Sequence, residues 1–234
     1  MQAGLAHRAA STPVRPTRPS VSSESTVDSL MFELVLGTGN QKKLVEIQRM
    51  MPADRVRLKT LADFPDPIDV VEDGTTFAEN AAKKACQQAK HLGVWVLGED
   101  SGLSVDALDG APGVFSARYA GPAQDDEANL NKLLDALQGV PPERRSAHYT
   151  SSFCLSDPDG AVRLTAEGIC RGRIITERHG QGGFGYDPIF QLREYHQTFG
   201  QLDWVVKQAL SHRSRALRQF LPRFLRLIGS DGVA

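Results

Sequence analysis

The sequence lacks the cysteine patterns on which disulfide-rich folds and structural zinc sites depend. Its three cysteines, Cys86, Cys154 and Cys170, are odd in number, widely spaced and set among apolar neighbours. Neither a CxxC nor an HExxH pattern occurs. The cysteines are therefore predicted to be small core residues of a protein in a reducing compartment. Nothing in their spacing indicates a zinc site.

Long apolar runs and an excess of one charge sign are also missing. No apolar run approaches the roughly 18 residues of a membrane-spanning helix. The 27 basic and 28 acidic residues leave a formal net charge of −1, so no general basic field attracts nucleic acid. These absences predict a cytoplasmic protein, without a membrane or nucleic-acid partner, that binds any anion at a local site. The length of 234 residues predicts one domain, or one domain with an appendage.

The first 30 residues lack an apolar period and contain no acid before Glu24. They are rich in Ser, Thr, Pro and Arg, which predicts a disordered N-terminal extension over residues 1–30 and a folded domain over residues 31–234. An organelle transit segment is an alternative, because such peptides are also Arg- and Ser-rich and acid-poor. A translation start at Met31, directly before the first predicted strand, is another.

Apolar spacing in the first half of the domain predicts strands that alternate with helices. The run FELVLG at 32–37 predicts a strand, and residues 40–51 predict the helix that follows. Thr76 and Glu79 form a capping box for a second helix, which Gly93 ends. Two short strands, VWVLG and LSVDAL, are predicted on either side of an acidic turn.

The second half predicts a helix, a hairpin and a final helix. The first of these begins at Asp125 or Asp126 and ends at Gly139. Alternating residues on both sides of the turn at 157–160 predict a β-hairpin. Pro222 lies inside the apolar pattern of the last helix and is expected to kink or split it. The order of elements predicts an α/β fold with a mixed sheet flanked by helices.

Two polar stretches of the first half are candidate site segments. The turn GTGNQKK at 37–43 places backbone N–H groups at a helix N-terminus, where they suit an anion, and Lys42 or Lys43 adds a charge. A purely structural turn is an equal alternative, because neither a P-loop nor a G-x-G-x-x-G pattern is present. The acidic segments VEDG at 71–74 and GEDSG at 98–102 suit a hard cation such as Mg²⁺ if they meet. The alternative is that both segments are solvated turns, and for either segment alone this alternative is preferred.

Two more candidate segments lie in the second half. The loop GQGGFGYDPIF at 180–190 carries aromatic residues and an acid, which suits stacking on a nucleobase, although a hairpin loop with core aromatics has the same composition. Ser211 is placed to cap the last helix, so that His212 and Arg213 fall in its first turn. Cations there oppose the helix dipole and indicate an anion, with an ordinary surface pair as the alternative. Together the four segments indicate a nucleotide or phosphorylated substrate with a divalent metal.

Five segments, in this order, resemble the bacterial form of the inosine triphosphate pyrophosphatase family: TGNQKKLVEI, EDGTTFAENAAKKA, EDSGLSVDALDGAPGVFSARYAG, GGFGYDPIF and ALSHRSRAL. The resemblance runs from about residue 33 to residue 228. It implies an α/β fold with an elongated, curved mixed sheet, and two lobes with a central substrate cleft. It also implies a homodimer and Mg²⁺-dependent hydrolysis of the noncanonical purine nucleotides ITP, dITP and XTP to the monophosphate and pyrophosphate.

The resemblance further implies roles for residues at matching positions. Asp100 is the catalytic general base and, with Glu72, a metal ligand. Ser101 contacts the substrate. The other substrate-binding residues are Thr38, Gly39, Asn40 and Lys43 at the triphosphate, Gln41 and Lys42 in the same turn, and Phe184, Gly185, Tyr186, Asp187, Lys207, His212 and Arg213 around the base and phosphates. The sequence departs from the family where Glu99 replaces the common Asp, where Val71 replaces a Glu, and over residues 195–203.

Two alternatives remain beside this interpretation. A pyrophosphatase for a modified pyrimidine triphosphate is disfavoured because residues 184–187 and 207–213 match the purine form of the family. A nucleotide-sensing module that binds without hydrolysis is disfavoured because Asp100, Lys43 and Glu72 are all present. The appearance of pyrophosphate distinguishes the sensor from the enzyme.

Overall fold

The computed structural model describes residues 31–230, so the predicted disordered extension over residues 1–30 lies outside the described part of the chain. The described part contains seven strands and five α-helices. The strands are β1 (Phe32–Leu36), β2 (Val56–Thr60), β3 (Val96–Val105), β4 (Ser146–Ser156), β5 (Val162–Ile174), β6 (Phe190–Leu192) and β7 (Gln197–Thr198). The helices are α1 (Gln41–Gln48), α2 (Phe77–Leu92), α3 (Asp126–Ala136), α4 (Trp204–Leu210) and α5 (His212–Ser230).

The seven strands form one mixed sheet with the order β2-β1-β3-β4-β5-β6-β7. β1 pairs in parallel with β2 and β3, whereas the later pairs are antiparallel. α2 packs on β3 and β4, and α5 packs on β4 and β5. The predicted α/β fold, with a mixed sheet flanked by helices, is confirmed. None of the helices in residues 31–230 combines the length and the apolar character that a membrane span requires.

The acidic segment after Leu97 lies inside a strand and not in a turn. β3 continues through it for ten residues, paired with β4 from Val96 opposite Ser156 to Val105 opposite Ala147. The expectation of two short strands around an acidic turn was therefore wrong. The ladder to β4 is continuous along the whole segment, so the carboxylates leave the sheet from a regular strand.

Predicted helix ends are confirmed where a local signal marks them. The Thr76 hydroxyl accepts a hydrogen bond from the Glu79 backbone N–H at 3.1 Å, and the Glu79 carboxylate accepts one from the Thr76 N–H at 3.3 Å. Gly93 follows α2 in the left-handed region, with φ of 67°. The side chain of Asp125 caps α3. Each signal works within one helical turn and needs no tertiary partner.

The hairpin predicted around residues 157–160 is confirmed as β4 and β5. The last helix, however, runs without a break from His212 to Ser230, so the expected split at Pro222 was wrong. Phe220 and Phe224, on either side of this proline, pack in the same apolar cluster while Pro222 itself is exposed. Burial of both rings stabilises the helical geometry across the proline, which lacks the donor for one helical hydrogen bond.

Four short elements have no counterpart in the sequence-based prediction. They are β2, β6, β7 and α4, which have between two and seven residues each. Such elements are shorter than the windows over which a strand or helix period can be recognised. β7 and its surroundings occupy the segment at 195–203 that departs from the family pattern, and Phe199 of that segment is fully buried.

One face of the sheet carries two apolar clusters with a polar row between them. Along β3, Leu97 belongs to the first cluster and Leu103 to the second. Glu99 and Ser101 lie between these two leucines on the same face, because side chains two residues apart share a face of a strand. β4 repeats the pattern, with Ser151 directly opposite Ser101. This polar row marks the position of the candidate site.

The three cysteines of the described chain are all free. Cys154 and Cys170 are buried and Cys86 is half-buried, in agreement with the prediction that they fill the core. Burial raises the pKa of the Cys154 thiol to about 12 and that of Cys170 to about 11. Neither buried thiol is therefore a nucleophile at neutral pH.

Candidate active site

The turn at the start of α1 is built around Asn40. Its side-chain oxygen caps the helix and accepts hydrogen bonds from the backbone N–H groups of Lys42 at 3.0 Å and Lys43 at 3.2 Å. The Thr38 hydroxyl accepts a bond from the Asn40 N–H at 3.3 Å. The turn therefore has a structural role, because Asn40 caps the first turn of α1. Two of the amides predicted to face an anion are thus already bonded to a side chain.

Glu99 lies at the centre of the polar row and is 1% exposed. The Lys43 ammonium is 3.0 Å from its carboxylate, and the Arg213 guanidinium is 3.2 Å away. The Ser151 hydroxyl donates a third contact at 2.9 Å. Burial alone would raise the pKa of Glu99, but Lys43 and Arg213 hold this pKa well below its ordinary value. Glu99 is therefore a permanent anion that fixes one cation from α1 and one from α5.

A chain of alternating charges continues from Arg213. Arg213 also contacts Glu46 of α1 and donates to the Ser101 hydroxyl at 2.9 Å. Glu46 in turn lies 3.2 Å from the ammonium of Lys207. Lys207 binds Asp187 at 2.7 Å. Buried ion pairs of this kind specify geometry more than they add stability, because the desolvation of each charge opposes their attraction.

Asp100 projects from the opposite face of β3, where α2 covers the sheet. Lys84 lies 3.2 Å from its carboxylate and the Asn80 amide donates to it at 3.3 Å. These two side chains are four residues apart and share one face of the helix. Burial raises the pKa of Asp100, and the attraction of Lys84 opposes that rise. A buried carboxylate with a raised pKa suits a general base near neutral pH better than an exposed one does.

Gly98 determines how closely α2 approaches Asp100. A Cβ atom at this position would lie 2.3 Å from the carbonyl oxygen of Ala81 and 2.8 Å from the backbone nitrogen of Ala85. Only glycine admits the helix at this distance, from which Asn80 and Lys84 reach the carboxylate. Gly168 of β5 has the same role under α5, since a Cβ there would lie 2.3 Å from the carbonyl oxygen of His212.

The predicted metal ligands, Glu72 and Asp100, converge on one cation. The Lys84 ammonium is 3.0 Å from Glu72 and 3.2 Å from Asp100. In residues 31–230 no group of three or more His, Cys, Asp or Glu side chains is arranged to hold a metal. Mg²⁺ is commonly bound through one or two carboxylates together with substrate phosphates. The pair therefore fits a metal that enters with a triphosphate and not one held by the protein alone.

His212 lies at the start of α5 with its ring against Tyr149. The two ring centroids are 4.7 Å apart and the planes differ by 10°. Burial, to which the charge of Arg213 adds, keeps the pKa of His212 well below its ordinary value. Its Nδ1 is buried and has no hydrogen-bond partner in the described part of the chain. His212 is thus a neutral imidazole, which corrects the expectation of two cations facing the helix dipole, and Arg213 is neutralised by Glu99 and Glu46.

The remaining predicted residues are half-buried, buried in the core or exposed. Phe184 and Gly185 are half-buried, and the Phe184 ring lies beneath the ammonium of Lys207, 5.1 Å from its centroid. Tyr186 instead belongs to the second apolar cluster, and its hydroxyl donates to the Ser116 carbonyl at 2.8 Å. For Tyr186, therefore, the alternative of a core aromatic describes the structure. The exposed residues of the predicted set are Gly39, Asn40, Gln41 and Lys42.

The sequence-based prediction missed several side chains that contact the site, namely Glu46, Asn80, Lys84, Asp126 and Ser151. Glu46, Asn80 and Lys84 lie within recognised motifs but were assigned no role there. One signal was available for Lys84. It lies on the same apolar stripe of α2 as Ala81 and Ala85, where a lysine is out of place unless it has a buried partner.

Comparison with known proteins agrees with this arrangement. The sequence profile of the Ham1 family matches residues 34–223. A dITP/XTP pyrophosphatase from Rhodopirellula baltica is 63% identical over 204 residues, which are 87% of this chain and 98% of that protein. One from Desulforamulus reducens is 46% identical over 196 residues, 84% of this chain and 97% of that protein. The solved structure of a HAM1 protein from Coxiella burnetii has a TM-score of 0.77 and 38% identity, and the match covers 84% of this chain and all of that one. The resemblance seen in the five motifs is confirmed, and the chain belongs to the Ham1 family.

Proposed function

We propose that this protein, a nucleoside triphosphate pyrophosphatase, hydrolyses ITP, dITP and XTP to the monophosphate and pyrophosphate with Mg²⁺, and so clears noncanonical purines from the nucleotide pool. The observation that carries the proposal is the pair of charged sites on the two faces of β3. Asp100 faces Lys84 on one side, and Glu99 fixes Lys43 and Arg213 on the other. The names of the relatives from Rhodopirellula baltica and Desulforamulus reducens support the substrate class.

The charge balance of the site supports a divalent cation. Each of the four cations in the site contacts at least one carboxylate, and there are five carboxylates. The cations are Lys43, Lys84, Lys207 and Arg213, and the carboxylates are Glu46, Glu72, Glu99, Asp100 and Asp187. The protein alone therefore does not offset the charge of a bound triphosphate. Mg²⁺, held by Asp100 and Glu72, would supply this compensation at the phosphate oxygens.

In the proposed reaction Asp100 orients a water molecule or accepts its proton. The water oxygen forms a bond to the α-phosphorus, in line with the bridging oxygen that leaves as part of pyrophosphate. Lys43 contributes its charge to the phosphate oxygens from the start of α1. Most of the acceleration in such a step comes from positioning and charge stabilisation, because the protein forms no covalent intermediate.

Selection of the base rests on the 6-position of the purine. Hypoxanthine and xanthine carry a 6-oxo group, whereas adenine carries a 6-amino group. His212 is a buried donor of the kind that a 6-oxo group pairs with, and it stays unpaired opposite an amino group, which is costly. Arg213 is already bonded to Glu46, Glu99 and Ser101, and it fixes the start of α5 that carries His212. The unpartnered Nδ1 of His212 supports this role. Phe184 supplies an aromatic face for stacking on the ring.

The proposal is tested by pyrophosphate release from ITP, XTP, GTP and ATP at equal concentration, with Mg²⁺ and with the metal removed by a chelator. We expect rapid release from ITP and XTP, little from ATP and GTP, and none without the metal. Binding of ITP without release would place the chain among nucleotide sensors. Equal release from all four nucleotides would contradict the assigned base recognition. The homodimer and the cytoplasmic location stay predictions from the sequence.

A further inference from the structure

Two successive backbone N–H groups in the loop before β6 are bound by two different carboxylates. The N–H of Phe184 donates to Asp187 at 2.8 Å. The next N–H, of Gly185, donates to Asp126 at 3.2 Å, across a separation of 59 positions in the chain. Asp126 is the first residue of α3 and belongs to none of the motifs recognised in the sequence. This contact joins the start of α3 to the loop that carries Phe184.

Each of these carboxylates also binds a lysine that lies over the Phe184 ring. Asp187 binds Lys207 at 2.7 Å, and the Lys207 ammonium is 5.1 Å from the ring centroid. Asp126 binds Lys42 at 2.6 Å, and the Lys42 ammonium is 5.4 Å from the same centroid. Cation–π contacts at these distances are attractive. The ring and the backbone of Phe184 are thus constrained by two carboxylate–lysine pairs of the same design.

We propose that Asp126 and Lys42 are positioning residues for the purine base, which they serve by fixing Phe184 for stacking. This inference rests on the proposed function, and it reassigns Lys42. The sequence-based interpretation counts Lys42 among the substrate-binding residues and gives Lys42 or Lys43 as the charge beside a bound anion. In the structure its ammonium is directed to Asp126 and to the Phe184 ring, whereas Lys43, one position later, binds Glu99 in the polar row.

The backbone around Phe184 explains why such a constraint matters. Gly183 has φ of 76° and Gly185 has φ of 59°, so a glycine in the left-handed region stands on each side of Phe184. Glycine offers the backbone many conformations, and a loop that contains two of them does not fix an aromatic ring by itself. The hydrogen bonds from the Phe184 and Gly185 N–H groups select one arrangement, and the two lysines hold the ring within it.

The exposure of the two pairs distinguishes their contributions. Lys207 and Asp187 are buried, so their removal would disturb folding as well as function. The side chains of Lys42 and Asp126 are 57% and 43% exposed. An exposed pair contributes little to the free energy of unfolding. Its loss is therefore expected to change substrate binding without a comparable loss of stability, a combination that a merely structural contact does not give.

The test compares Asp126→Ala, Lys42→Ala and the double variant in steady-state hydrolysis of ITP with saturating Mg²⁺. Each single substitution is expected to raise KM by about two- to fivefold, the range of one exposed ion pair or cation–π contact, with kcat within about twofold. The double variant is expected to match Asp126→Ala, because that substitution removes both the bond from the Gly185 N–H and the carboxylate that holds Lys42 over the ring. Asp135→Ala, at an exposed position of the same helix, is the matched control and should behave as wild type.

Inhibition by inorganic tripolyphosphate separates base positioning from phosphate binding, because this probe has no base. If Lys42 and Asp126 position Phe184, both variants keep the wild-type inhibition constant for tripolyphosphate. If Lys42 binds phosphate, Lys42→Ala weakens that inhibition, while Asp126→Ala frees the lysine and lowers KM for ITP. Either of these results, or additive effects in the double variant, would overturn the inference.

Failure of the proposed function can be distinguished from failure of this inference. If the proposed function is wrong, the wild-type protein itself releases no pyrophosphate from ITP. The positioning role would then be decided by calorimetric affinities for ITP, which should fall by a similar factor in both single variants. Equal affinity of wild type and variants would again overturn it.

Discussion

Glu99 and Asp100 are neighbours on β3, yet their carboxylates bind cations on opposite faces of the sheet. Glu99 contacts Lys43 and Arg213, and Asp100 contacts Lys84. Successive side chains of a strand point to opposite faces, so this division follows from the continuous pairing of β3 with β4. The two acids therefore hold separate cations, Lys43 and Arg213 at Glu99 and Lys84 at Asp100.

Asp100→Asn is expected to abolish catalysis while the fold persists. The amide keeps the shape of the carboxylate and its contact with Asn80, but it accepts no proton and binds metal poorly. We expect kcat with ITP to fall by far more than tenfold, with an unchanged circular dichroism spectrum. A variant that kept more than about a tenth of the wild-type rate, equivalent to less than about 1.4 kcal/mol of barrier, would remove Asp100 from the role of general base.

Glu99→Gln is expected to destabilise the protein strongly, because it leaves Lys43 and part of Arg213 without a counter-charge inside the structure. Breaking a buried ion pair from one side costs about 3–5 kcal/mol in the free energy of unfolding. Urea denaturation measures this loss. Glu33→Gln, which affects a half-exposed pair with Lys59, is the control and should cost no more than about 1 kcal/mol. Similar losses in the two variants would mean that the charge of Glu99 is compensated by water.

Gly98→Ala is expected to lower stability and activity together. The added methyl group would lie 2.3 Å from the Ala81 carbonyl, so α2 must move away from β3. Overpacking of this kind costs about 1–3 kcal/mol, and the displaced Asn80 and Lys84 would lose their contacts with Asp100. Thermal unfolding and kcat are the measurements. For stability, the control is Gly39→Ala, since no described atom lies within 4 Å of the added carbon.

An unchanged kcat in Gly98→Ala would show that the position of α2 is not critical for Asp100. An equal loss of stability in Gly39→Ala would show that the loss in Gly98→Ala does not arise from the contact with α2, because the effect of Gly→Ala on the unfolded chain is stabilising.

Elements marked by local chemistry were predictable from the sequence, whereas the partners in the site were not. Thr76, Glu79 and Gly93 interact within one turn of helix, so their pattern is sufficient to place α2. Glu46 meets Arg213 across 167 positions of the chain, and Lys42 meets Asp126 across 84. No periodicity connects residues at such separations. Only the order of strands in the sheet brings them together.

The acidic segment of β3 shows why a correct motif gave an incorrect local structure. Three polar residues, Glu99 to Ser101, resemble a turn because carboxylates usually face water. The two carboxylates can be buried because Lys43, Lys84 and Arg213 contact them, and each of these cations lies on a different helix. The assignment of Asp100 to the site stays a prediction, and it rests on the motif and not on the predicted local structure.

His212 is expected to make stability depend on pH between 7.5 and 5.5. Burial holds the pKa of the folded imidazole well below the ordinary 6.5, with Arg213 adding to the effect and Glu99 opposing it. Below pH 6.5 the unfolded chain therefore binds a proton that the folded protein does not, and stability falls as the pH decreases. One such group accounts for a loss of about 1.4 kcal/mol between pH 7.5 and 5.5.

Urea unfolding of wild type and His212→Gln at the two pH values measures this contribution. The variant is expected to lose about 1.4 kcal/mol less than wild type over the interval, whatever its stability at pH 7.5, because glutamine does not titrate. His196→Asn is the control, since His196 is exposed and asparagine tolerates its positive φ. It should keep the wild-type difference. The same pH-dependent loss in wild type and His212→Gln would mean that the buried imidazole takes up a proton in the folded state, and the neutral donor assigned to base recognition would have to be replaced by a cation.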